Sequence, residues 1–112
     1  MSERGKMEKL LECEKVSAPN NVDILGINYE IEEVECVSKD ELRKGQINFL
    51  TNKILIDNTM TNQNKNITLI HEIIHGIAEA LGMSDLCEDE NRVQALATAL
   101  YYVATHNKII FS

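Results

Sequence analysis

The run from Ile67 to Gly82, ITLIHEIIHGIAEALG, constrains this chain more than any other segment. At about 100° per residue, Ile67, Ile70, Ile74, Ile77, Ala78 and Leu81 form one stripe of a helix, and Leu69 and Ile73 add apolar surface behind it. Gly82 is a suitable stop. A helix apolar on most sides has to be enclosed, so the remainder of the 112 residues must supply the layers around it. That length holds one modest core, which predicts a single domain over residues 1–112.

The flanking segments suggest what those layers are. In residues 6–17, KMEKLLECEKVS, Met7, Leu10 and Leu11 fall near helical spacing and predict a short N-terminal helix. Pro19, beside Asn20 and Asn21, marks a turn. From Val22 to Val37, β-branched and aromatic residues predict one strand, with a bulge where the alternation of Ile27, Tyr29 and Ile31 shifts phase at Glu32-Glu33. INFL and KILID, on either side of Thr51-Asn52, read as a hairpin. The Asn- and Thr-rich residues 57–66 read as a loop offering N-caps to the helix that follows. Beyond the loop MSDLCED, a second helix is expected from about Glu88 to His106, with Val93, Leu96, Ala97, Leu100 and Ala104 on its inner face. The tail KIIF reads as a short strand or a segment packed onto the domain. The fold class is therefore α+β: an N-terminal helix, a small three-stranded sheet whose edge could hold a substrate strand, and two helices.

Composition narrows the function. Apolar residues make up 44% and no run reaches the roughly 20 residues of a membrane span, so no membrane insertion is expected. The N-terminus has no continuous apolar stretch of signal-peptide type, which makes a cytoplasmic location the expectation. Cys13, Cys36 and Cys87 are odd in number and lack CxxC spacing, so they are read as reduced thiols. A net charge of −7 with no Lys/Arg cluster argues against direct nucleic-acid binding.

The chemistry lies in His71-Glu72-Ile73-Ile74-His75. Two histidines four residues apart project about 40° from each other, one turn above the other, so one metal ion can touch both. Zinc accepts imidazole nitrogen, and a catalytic zinc takes three protein ligands and keeps a position open for water. Glu72 is placed to reach that water rather than the metal, as a general base that later passes the proton to a leaving amine. The plainer alternative is two histidines sharing a face by coincidence beside a solvated acid. Against it, two of the chain's three histidines stand at ligand spacing, with a glutamate at the position the chemistry needs, inside an otherwise apolar helix.

A third ligand must come from another element. The metzincin pattern HExxHxxGxxH is not met, because Ala78 and then Leu81-Gly82 stand where its later residues would be. Glu79 shares the face but lies about 12 Å along the axis from His71. On the second helix, Glu88 points away from the apolar stripe, whereas Asp89 and Glu90 fall about 40° and 60° to either side of Val93. Glu90 is the preferred ligand and Asp89 the reserve. Periodicity does not separate them, and acids at a helix start also serve as a dipole cap. Tyr101 lies about 16 Å along that helix from Glu90, and His106 farther, so with Tyr102 they are assigned to packing or surface. Cys87 is left out of the site as a small buried hydrophobe.

With HEIIHG followed by ENRVQALATALYYV, the chain resembles the ImmA/IrrE family of HExxH metallopeptidases, particularly small forms common in phages and mobile elements. The likeness covers about residues 19–107 and includes GINYEI and GQINFLTNKILID. It implies a zincin-like fold and a zinc metallopeptidase with His71, His75 and Glu90 as ligands and Glu72 catalytic. It also implies peptide hydrolysis and a protein partner of the DNA-binding repressor type. The chain departs from the longer members at Glu90-Asn91-Arg92-Val93-Gln94-Ala95, where they carry Glu-Ala-Asn-x-Phe-Ala. A rival expectation is a catalytically silent, zinc-containing module that binds a regulatory partner.

Overall fold

The structure, a computed structural model, describes residues 20–108. The expected N-terminal helix over residues 6–17, the turn at Pro19 and the tail from Ile109 onward lie outside the described residues. The described residues form a mixed α+β fold with a four-stranded sheet and three helices. In chain order these are β1 (Asn21–Ile24), β2 (Ile27–Val34), β3 (Gly45–Asn48), β4 (Lys53–Asp57), α1 (Asn62–Ala80), α2 (Ser84–Cys87) and α3 (Glu90–His106).

The sheet has one strand more than the three expected, because Val22–Val37 is two strands rather than one with a bulge. Leu25 and Gly26 both take positive φ, 52° and 96°, and reverse the chain so that Ile24 pairs with Ile27. Two-residue hairpins need this left-handed backbone, which glycine adopts freely and leucine at some cost. The Asp23 carboxylate helps by accepting the Gly26 N–H at 2.7 Å. The pairing of β2 with β4 then runs unbroken through Glu32 and Glu33. Strand order is β1-β2-β4-β3, with β2 and β4 parallel and the other pairs antiparallel. The second hairpin lies where expected, although its first strand is Gly45–Asn48 rather than INFL. Asn48 closes its turn by accepting the N–H groups of Leu50 and Thr51.

One face of the sheet is apolar and the other charged. In β4, Ile54 and Ile56 are buried and pack with Ile24, Tyr29 and Leu69. On the opposite face, Lys53 stands 3.8 Å from both Glu30 and Glu32. Fully burying each isoleucine contributes roughly 1.5–3 kcal/mol, enough to hold the strand register in one phase.

Helix α1 begins at Asn62, five positions before the expected start, so the second half of the predicted loop over residues 57–66 is helical. Asparagine is a poor helix former in the interior, but Thr61 caps the end by accepting the Asn64 N–H at 3.2 Å. Lys65 ties this turn to β2 through Glu33 at 2.9 Å. Leu69 and Ile73 face the sheet, while Ile67, Ile70 and Ile74 face Val93 and Ala97 of α3. Two covered faces account for the near-continuous apolar run. The helix closes where expected, with Gly82 and Met83 donating to Glu79 and Ala78.

The segment read as the loop MSDLCED contains the short α2, and α3 starts at Glu90 rather than Glu88. Only Val93 and Ala97 of the expected inner face of α3 are buried. Leu96 and Leu100 are 44% and 50% exposed and Ala104 is exposed, because among the described residues α3 packs only on α1 and α2. No helix among the described residues is long and apolar enough to cross a membrane.

Candidate metal centre

Around α1 the sheet-facing residues are followed by those facing α3, then by His71 and His75, then by Glu72, at about 100° per residue. This order leaves the two histidines beside the start of α3 and Glu72 beside the edge strand β3. The imidazole rings stand 5.0 Å apart, centroid to centroid, and His75 is the more deeply buried.

Glu90, in the first turn of α3, meets both rings. Its Oε1 lies 2.8 Å from His71 Nε2, and its Oε2 lies 3.2 Å from His75 Nε2. Burial beside α1 pushes the Glu90 carboxyl upward, but hydrogen bonds from the two imidazoles and their charge outweigh it and hold the group below its ordinary range. His71, His75 and Glu90 form a group that could hold a metal ion, with one donor atom from each within 4.8 Å of the others. Zinc with donors at 2.0–2.2 Å in a tetrahedron needs them about 3.3 Å apart. One oxygen, Glu90 Oε1, lies 2.8 Å from His71 Nε2 and 3.3 Å from His75 Nε2, so these two separations need at most about half an ångström of opening. Two imidazoles and one carboxylate are also a donor set that zinc accepts with a coordination position left over.

Asp89, the reserve ligand, is not in this group. It is the N-cap of α3, accepting the Arg92 N–H at 3.1 Å and the Arg92 Nε–H at 3.0 Å, and those bonds lower its pKa. The capping role thus falls to Asp89 and leaves Glu90, one position on, free to face α1. Glu79 and Glu88 are exposed and stand outside the group, and Tyr101, Tyr102 and His106 lie away from the cavity over it.

Glu72 is 6% exposed, and its carboxylate has no hydrogen-bond partner among the described residues. Desolvation by burial is the main reason its pKa rises to about 7, the nearby charge of Glu90 adding to it and those of His71 and Arg43 opposing it. Such a group is poised to gain or lose a proton near neutrality. Its room is made by Gly45 at the start of β3, where an added Cβ would lie 3.2 Å from Glu72 Oε2 and 2.6 Å from Thr68 Cγ2.

A cavity of about 560 Å³ opens over these groups, bounded by β3, the residues before it, α1 and the start of α3. Arg43 stands on its wall, bonded to Glu41 at 2.7 Å. Cys87 also lines it, with Sγ 3.6 Å from His75 Nδ1, so the thiol left out of the site borders it. Burial and the charges of Glu79, Glu90 and Glu88 raise the pKa of that thiol. Gln94, one turn beyond Glu90, places Oε1 2.8 Å from His71 Nδ1. Of these neighbours only Gln94 had a usable signal in the sequence, its four-residue spacing from Glu90; Arg43 and Gly45 reach the cavity through strand pairing.

No family model, curated protein or solved structure matches the chain.

Proposed function

We propose that this chain is a zinc metallopeptidase with a zincin-like fold, in which His71, His75 and Glu90 hold the ion and Glu72 is the general base. The observation that carries the reading is the approach of one carboxylate from α3 to both motif histidines, with a buried Glu72 that has no hydrogen-bond partner among the described residues beside them in an open cavity. Zinc bound there supplies Lewis acidity, polarising a carbonyl and lowering the pKa of a water. Glu72 takes a proton from the attacking water at its carboxylate and returns it to the leaving amine. Arg43 supplies positive charge on the cavity wall.

Two further points favour a peptide over other carbonyl substrates. Among the described residues strand β3 is at the edge of the sheet and lines the cavity, so its outer side can pair with an extended chain laid across the site. The resemblance of HEIIHG and the following helix to the ImmA/IrrE family points the same way, toward a regulatory protein of the DNA-binding repressor type as substrate. The test is cleavage of extended polypeptides by the zinc-loaded chain, read by mass spectrometry beside Glu72→Gln. A fall of at least about 100-fold in the variant, with its zinc retained, is expected. Equal cleavage by both proteins refutes the role of Glu72. If neither cleaves and both retain a bound partner, an interaction module replaces the enzyme.

A further inference from the structure

The contact between Gln94 and His71 has a direction that can be worked out from its neighbours. The Thr98 hydroxyl donates to the Gln94 carbonyl oxygen at 2.9 Å, so its proton is committed to the backbone. Its oxygen is left to accept, and the Gln94 amide nitrogen lies 3.5 Å away. With the amide nitrogen turned toward Thr98, the amide oxygen faces His71 Nδ1 at 2.8 Å. An amide oxygen can only accept, so Nδ1 must carry the proton. Nε2, which faces Glu90 and the second histidine and donates to that carboxylate in the metal-free protein, is then the nitrogen that gives up its proton and offers its lone pair when an ion is bound.

We propose that Gln94, oriented by Thr98, is a positioning residue that fixes the ring and tautomer of His71 so that Nε2 is presented to the metal. This rests on the metal-centre reading above and adds to it a requirement on α3: the same helix supplies a ligand at Glu90 and, one turn later, the acceptor that sets another ligand. The spacing of four residues puts both side chains on one face. The acceptor is neutral where a carboxylate would be the stronger partner. Glu72, Glu90 and Glu41 already line the cavity, so an amide orients the ring without adding a further negative charge.

The test is zinc affinity, measured by competition with a chromophoric chelator, for the parent, Gln94→Leu, Gln94→Glu and Thr98→Val. Loss of such a partner weakens metal binding about 10- to 100-fold. Because Gln94 and Thr98 are exposed to solvent, about 10-fold is expected for Gln94→Leu and less for Thr98→Val. Gln94→Glu should bind at least as tightly as the parent. A slowly exchanging His71 Nδ1–H resonance is expected in the zinc-loaded parent and lost in Gln94→Leu, while the unfolding midpoints of the metal-free proteins stay together. Equal affinity of Gln94→Leu and the parent overturns the proposal, as does a Gln94→Glu variant as weak as Gln94→Leu. A parent that takes up no zinc overturns the metal centre itself, which is visible without any variant.

Discussion

Glu72 couples the chemistry of the site to the stability of the chain. Its carboxyl titrates near 7 in the folded, metal-free protein against 4.5 without the surrounding structure, because burial disfavours the charged form. Below about pH 4.5 the group is neutral whether the chain is folded or not, and it contributes no penalty. As pH rises from there the unfolded chain ionises first, so folding stability falls through the window up to about 7 and is then level. The full loss is about 3 kcal/mol at most. Denaturant unfolding of the metal-free parent and Glu72→Gln should therefore diverge between pH 5 and 8, with the variant the more stable at pH 8. Parallel pH profiles would mean that Glu72 is solvated. At this scale His71 and His75 were legible because two imidazoles four residues apart express what a metal ion needs, and Glu72 because it is the acid beside them in an otherwise apolar helix. Glu90 could not be separated from Asp89 by periodicity; the N-cap bond that Asp89 accepts from the Arg92 N–H distinguishes them, and it depends on where α3 starts.

The start of α3 also makes capping a test at the scale of elements. Thr61 and Asp89 cap α1 and α3 in the same manner, each accepting an N–H three residues on. Replacing either by alanine should cost about 1 kcal/mol of stability. Only Asp89→Ala should also weaken zinc uptake, because the turn that frays carries Glu90, whereas His71 lies well inside α1. Thermal melts paired with zinc titration check this; equal effects of both variants on zinc would show that the register of α3 does not set the site. Elements with a two-sided apolar pattern, α1 above all, were legible along most of their length. The β1–β2 reversal was not, because Leu25 is an unusual residue at positive φ and its support comes from Asp23. The first turn of α1 was hidden by asparagines whose helical state depends on Thr61 and on the Lys65–Glu33 tie to the sheet.

In the whole molecule, the sheet covers one face of α1, α3 covers another, and the remaining angle carries His71, Glu72 and His75 into a cavity walled by β3. The α+β class follows from the order of patterned segments, but the path of the chain does not. That path places β3 at the edge and parallel β2 and β4 at the centre, and so brings Gly45 and Arg43 to the site. The inner face expected for α3 extended past its second turn, yet among the described residues α1 and α2 cover only Val93 and Ala97. Everything proposed about function depends on three side chains from two helices sharing one ion. Zinc per chain, measured by elemental analysis after purification without added metal or a chelating tag, tests that most directly for the parent, His75→Ala and Glu90→Gln. About one zinc in the parent and clear loss in both variants is the expected result. A parent that carries no zinc and takes none up at micromolar concentration would contradict it.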